Sequence, residues 1–226
     1  MAPSSITPFE SEKSTQALQL ANPHVWQDLK TFVARARRVD GSGAIHLQAP
    51  PQRPVLAAWV SIMDGVAGTV LGMRTFELAR AGGIEKTVYL AGVADRLARE
   101  VNLLTSELGV PPVVANPEWS LNMPPVSGWE PIGTLEAEQV LETARAGADE
   151  LAQSAPEVPG LPMVNALRNR IWFTPMLPGV PAGAAFGLDV MGFLNPRGDV
   201  SVYRSGTWFR LSTERGHVLA RMAEIA

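Results

Sequence analysis

The stretch Asp199-Val-Ser-Val-Tyr-Arg-Ser-Gly-Thr-Trp-Phe-Arg-Leu211 decides most about the fold. Val200, Val202 and Arg204 alternate with Ser201 and Tyr203, and beyond Ser205-Gly206 the residues Thr207, Phe209 and Leu211 alternate with Trp208 and Arg210. A period of two is that of a strand half-buried on a sheet, and a glycine-containing pair between two such runs predicts an antiparallel hairpin. With Ser205-Gly206 as the turn, Tyr203 pairs with Trp208, Val202 with Phe209 and Val200 with Leu211. One face (Val200, Val202, Phe209, Leu211) is then core. The other carries Ser201, Tyr203, Trp208 and Arg210.

Outward from the hairpin the pattern changes period. Downstream, His217 to Ile225 predicts a last helix. Upstream, Ala184 to Leu194 predicts a short helix and Arg168 to Thr174 a strand, while Leu135, Val140, Leu141, Ala144, Ala148 and Leu151 mark the buried stripe of a longer helix. Near the start, Asn22-Pro23 is a cap followed by a first-turn proline. Val25, Leu29, Phe32, Val33 and Ala36 form one stripe, and Asp40-Gly41 ends it, giving a helix over 23–39. Extended runs follow at Ala44 to Gln48, Pro54 to Met63, Thr69 to Leu78 and Thr87 to Leu90. A helix near 92–108 comes next, stopped by Gly109 and Pro111. The expected class is α+β, in two lobes, each an antiparallel sheet or hairpin with helices packed on one face.

Residues 111–133 hold six prolines, with Trp119 and Trp129 among them. Such a run sustains neither a helix nor a central strand, and two tryptophans in it imply packing against something. The expected organisation is a flexible arm over 1–21, an N-terminal lobe over 22–110, a Pro/Trp linker over 111–133 and a C-terminal lobe over 134–226. Both lobes read as a helix, then strands, with a helix interposed, without a repeat of fixed period.

At Pro124-Pro125-Val126-Ser127-Gly128-Trp129, at Met191-Gly192-Phe193-Leu194 and at Ser205-Gly206-Thr207-Trp208, the chain resembles a group of uncharacterised proteins from high-GC bacteria. The resemblance covers residues 23–215. It implies no activity and no site residue.

Composition narrows the chemistry. The 226 residues are 46% hydrophobic and 18% charged, with a net charge of −3, values of an ordinary globular chain. There is no Cys, which excludes disulfides, thiolate metal sites and a thiol nucleophile. The polar start lacks the pattern of a signal peptide, and the longest strongly apolar run, Pro54 to Met63, is about half of a membrane span. A cytoplasmic protein is expected. Charge is uneven: residues 95–160 carry 3 basic and 11 acidic groups, residues 161–226 carry 7 and 4. That excess is below what a nucleic-acid-binding domain usually shows.

No reactive constellation emerges. His24, His46 and His217 have no metal-ligand spacing, the glycines at 65, 68 and 72 lie between extended runs, and there is no Gly-x-Ser-x-Gly. No cofactor, metal or catalytic residue is expected, and the chain reads as non-enzymatic. The functional signal is on the hairpin: Tyr203, Trp208 and Arg210 on one face, with Arg204 beside them, are the residue types of protein interfaces. The first expectation is a module binding a protein partner, a second copy of itself included. The alternative is a small-molecule binding protein or enzyme with its site in a cleft between lobes, lined by Trp119 and Trp129, with Arg168 or Arg170 holding an anionic ligand. A weaker alternative is nucleic acid on the basic C-terminal hairpin.

Overall fold

The computed structural model of the protein describes residues 16–99, 105–154 and 161–223. Strand β1 (Ala17–Gln19) leads into helix α1 (Pro23–Val39), then strands β2 (Ala44–Ala49), β3 (Val55–Gly65), β4 (Gly68–Glu77) and β5 (Ile84–Tyr89). Helix α2 (Leu90–Leu97) and strand β6 (Glu107–Gly109) close the first half. A 3-10 turn (Glu118–Leu121) precedes β7 (Glu130–Glu136), α3 (Ala137–Ser154) and α4 (Leu161–Trp172). Strands β8 (Pro175–Leu177) and β9 (Val180–Pro181), helix α5 (Gly183–Val190) and strands β10 (Asp199–Ser205), β11 (Trp208–Thr213) and β12 (Gly216–Met222) complete the chain.

The protein is α+β, with an antiparallel sheet and helices on one face. The strands of the two halves join edge to edge into one eight-stranded sheet, ordered β5-β2-β3-β4-β12-β11-β10-β7. Each half gives a helix and a three-stranded meander, and the meanders meet at β4–β12, where Met73 to Gly68 pair with His217 to Met222. One apolar core, built from both halves, fills the space between sheet and helices. Phe32 of α1 lies 6.4 Å from the ring of Phe193, and Arg35 Nη1 donates to the Met191 carbonyl at 2.7 Å. Gly187 of α5 lets that helix close on the sheet, since a Cβ there would meet Ile62 Cδ1 at 2.8 Å.

Helix α1 forms as the sequence dictates. The Asn22 side chain accepts from the His24 and Val25 backbone N–H groups at 2.9 and 3.1 Å, and Trp26, Leu29, Phe32, Val33 and Ala36 are buried. Asn22→Ala is expected to lower stability by about 1 kcal/mol, read as a drop in urea midpoint at unchanged slope; no change would show that water caps the helix equally well.

Several expectations are corrected. The hairpin turn is Gly206-Thr207, so Tyr203 faces Arg210, Val202 faces Leu211 and Ser205 faces Trp208. Gly206 has φ +58° as first central residue, the position type II′ turns reserve for glycine. The slip is two residues, so every side chain keeps its face and the burial pattern cannot tell the registers apart. Arg168 to Thr174 belongs mostly to α4, where Leu167 and Ile171 are spaced one turn apart and both pack inward. His217 to Met222 is strand β12; Val218, Leu219 and Ala220 are all buried because a central strand covered on both faces loses its alternation. Residues 17–19, within the expected arm, pair as β1 with β6, Leu20 bridges to Leu78, and Leu18 and Leu20 are buried. The helix expected over 92–108 is α2 up to Leu97; residues 100–104 lie outside the described residues, and β6 follows. Among the described residues no helix is long and apolar enough to cross a membrane.

Candidate functional site

The helix-free face of the sheet carries a second, smaller apolar cluster. Cross-strand register builds it in rows. Leu71, Leu219, Arg210, Tyr203 and Pro131 align across β4, β12, β11, β10 and β7, and Trp59, Met73, His217, Ser212 and Ser201 align in the next row. The Pro/Trp segment crosses this face and seats Ala115, Trp119, Met123 and Trp129 on it. The Trp129 indole N–H donates to the Pro125 carbonyl at 3.0 Å, which fixes the ring. Between this segment and the turn at Pro50 to Arg53 lies a groove of about 830 Å³, lined by Trp59, Met73, Val126, Trp129, Arg210 and Leu219 among others.

Arg210 is the unusual group in that groove. Its Cζ sits 4.4 Å from the centroid of Tyr203 and 4.8 Å from that of Trp129. Among the described residues it has no ion pair, and its Nε is sealed from solvent without an acceptor. Burial pulls the guanidinium below its ordinary pKa, with Tyr203 pushing the other way. Trp59 is 8% exposed and its Nε1–H is likewise sealed without an acceptor. A donor in that state costs about 1–3 kcal/mol. Arg221, two strand positions from Leu219, shows the ordinary solution. It lies 5.0 Å from the Trp208 ring, and the Asn122 amide, oriented with its oxygen toward the guanidinium, accepts from both Nη atoms at 2.9 and 2.8 Å.

The residues singled out in the sequence separate into three places. Tyr203, Arg210 and Trp129 come together at the groove. Trp208, expected beside Tyr203, is 5% exposed and faces Arg221 instead. Arg204 folds back on its own turn, donating to the Gly206 carbonyl at 3.0 Å and stacking 5.6 Å over Phe209. Trp119 and Arg168 line a different, more polar cavity of about 770 Å³, with Asp64, Asn165 and Asn169. Trp129 is not part of it, so the two tryptophans do not share one pocket. Arg170 is exposed and paired with Glu150 at 3.3 Å. Trp59 escaped the sequence reading, although the apolar run containing it carried the signal: a strand interior this apolar on both sides is covered on both faces.

The histidines form no reactive centre. His46 and Thr87 are register partners, with Nδ1 2.9 Å from Oγ1, and Glu85 lies 3.9 Å from Nε2. Burial lowers the His46 pKa, and Glu85 opposes this. His217 and Ser212 are also register partners, Nδ1 to Oγ 2.9 Å. Burial, and next Arg210, lower the His217 pKa to about 4. A serine beside a neutral imidazole is half of a nucleophilic pair, but the charge near this histidine is a cation rather than an orienting carboxylate. Neither histidine lines either cavity. Among the described residues no cluster of His, Asp and Glu could hold a metal.

Known proteins place the chain as follows. No curated protein matches it. The structure of a DNA polymerase III β subunit from Eubacterium rectale is similar with a TM-score of 0.50 at 9% identity, over 93% of this chain and 66% of that one. A DnaN sliding clamp from Bartonella birtlesii bound to griselimycin gives 0.47 at 11% identity over the same shares. The chain thus spans just under two thirds of the length of these subunits, and at such identity the likeness is one of fold alone. Family models match on either side of the Pro/Trp segment's midpoint: a domain of unknown function, DUF8010, over residues 13–121, and a second domain of unknown function, DUF8185, over residues 124–225.

Proposed function

We propose that the protein is a binding module that receives a partner polypeptide in the groove on the helix-free face of the sheet. The supporting observation is Arg210, flanked by Tyr203 and Trp129, without an ion pair among the described residues, in a groove lined for the most part by apolar side chains. Aromatic residues and arginine in a partly desolvated setting are the usual anchors of protein recognition. The two rings offset part of the desolvation of this guanidinium, but its N–H edge is left without an acceptor, an arrangement from which a protein folding only for its own stability gains little.

Photo-crosslinking tests this directly. Val126 lines the groove and is 88% exposed; Val66, 90% exposed, lies outside it. With benzoylphenylalanine at 126 in cells, discrete adducts are expected that are absent with the same group at 66 and lost on adding Arg210→Ala. An adduct of twice the chain's mass identifies a second copy as the partner. Equal labelling at both positions, or none at 126, overturns the proposal.

One observation favours a second reading. Arg168 lines the 770 Å³ cavity with two asparagines of the same helix and has no ion pair among the described residues, a donor set for a small anionic molecule, although Asp40 and Asp64 line the same cavity. Native mass spectrometry of the purified chain, before and after Arg168→Gln, discriminates: a bound mass lost with Arg168 supports this reading, and a bare chain counts against it.

A further inference from the structure

Building on the groove reading above, we propose that the occupant is an extended acidic–apolar peptide segment that presents a carboxylate to the N–H edge of Arg210. A guanidinium bonds in two ways, through its faces to aromatic rings and through its edge to oxyanions. At Arg210 two rings, Tyr203 and Trp129, already lie against it, at 4.4 and 4.8 Å. The edge has no hydrogen-bond acceptor among the described residues, and Nε is sealed behind the groove lining. A side chain held this way has lost much of its rotamer freedom in advance, so an oxyanion meets a guanidinium already oriented, with only its sealed Nε needing a shift of the lining to be reached.

The surroundings select the oxyanion. The other charged lining residues, Arg53 and Glu85, are opposite in sign. His217, whose pKa lies near 4, is neutral at physiological pH. One uncompensated positive charge in a mostly apolar groove matches a carboxylate monoanion; a phosphate dianion would leave a negative charge unpaired. The dimensions select a peptide. From Trp59 on β3 to Arg210 on β11 there are three inter-strand steps, β3 to β4 to β12 to β11. At ~4.8 Å per step this is about 14 Å, or about four extended residues at ~3.3 Å each. Trp59 offers a second donor without an acceptor, and a peptide carries a carbonyl at every residue. The apolar floor of Met73 and Leu219 and the wall of Pro125 and Val126 suit aliphatic or aromatic side chains on either side of the acid. Because the sealed donors are reached only if Trp129 or its neighbours shift, occupancy should change tryptophan fluorescence.

The test uses the full chain and labelled hexapeptides, acetylated and amidated, in which one Glu is set among Leu, Val and Phe, together with the same peptides carrying Gln. Fluorescence polarisation is expected to find Glu peptides that bind at least tenfold tighter than their Gln partners. Arg210→Met should bring the Glu peptides down to the Gln level, Arg210→Lys should fall between, and Arg37→Met on the far helix should change nothing. Melting curves establish that each variant is folded, and Arg210→Lys decides if Arg210→Met is not. Equal affinities for Glu and Gln peptides, or a preference that survives both Arg210 variants, overturn the carboxylate while leaving the groove as a peptide site. Competition by inorganic phosphate but not by acetate overturns it in favour of a phosphate site. Failure of every peptide, together with no crosslink at Val126, removes the groove reading and this inference with it.

Discussion

Divided between Asn122 and Met123, the chain is expected to give two halves that do not fold apart and that reassemble when produced together. The cut falls between the two family domains, where a pair of autonomous units would tolerate it best. The sheet says otherwise. It would strip the partner from β4 along six register pairs, Met73 to Gly68, and from β12 along the same length. Each half would then carry an unpaired apolar edge strand, which natural proteins avoid. The core would lose more. Val70, Met191, Phe193 and Val218 are at most 2% exposed and are covered in part by the opposite half. Full exposure of one such side chain costs about 1.5–3 kcal/mol, so uncovering all four in part costs several kcal/mol, a large share of the about 5–15 kcal/mol that holds a typical domain folded. Circular dichroism and thermal melting of each half, and co-purification of a tagged half with an untagged one, check this. A cooperative melt from either half alone would show that the seam is not required.

The sequence made the local elements legible and left their assembly hidden. Helix α1 was fully specified by Asn22, Pro23 and the stripe from Val25 to Ala36, because cap, period and stop all agree. The hairpin faces were legible for the same reason, since alternation fixes which side chains point to the core. Its register was not, because Ser205-Gly206 and Gly206-Thr207 are both acceptable turns and the two-residue slip changes no burial. Strand β12 does not show as a strand in the sequence, because Val218, Leu219 and Ala220 are apolar in succession; the cause, a covering of both faces by α5 on one side and the Pro/Trp segment on the other, lies in distant parts of the chain. The groove follows the same division. Tyr203 and Arg210 were legible as an aromatic–arginine surface. That Trp129 joins them, that Trp208 turns to Arg221, and that Trp59 lies in the floor all depend on how residues 111–133 cross the sheet, and no short-range pattern encodes that path.

Acidification between pH 6.5 and 4 is expected to remove much of the protein's stability, and His217 is expected to account for a large part of the loss. In the fold its imidazole is held to a pKa of about 4, first by burial and then by Arg210, against 6.5 for an unperturbed histidine. The folded state therefore refuses a proton that the unfolded chain accepts. Above pH 6.5 both states are neutral and stability is complete; as pH falls the unfolded chain gains the proton first, and below about 4 both are charged and the loss levels off. The difference of 2.5 units corresponds to about 3 kcal/mol. His46 acts in the same direction, because burial lowers its pKa more than Glu85 raises it. Urea titrations at intervals across this range should show the decline, and His217→Gln, which can still bond Ser212, should flatten it. Arg210→Met supplies an internal control: with the neighbouring cation gone, the His217 resonance should titrate at a higher pH by NMR and the stability loss should shrink. A His217 that titrates near 6.5 in the native chain would mean that it is open to water and not pressed against Arg210, and the guanidinium would then have room to turn away from the groove.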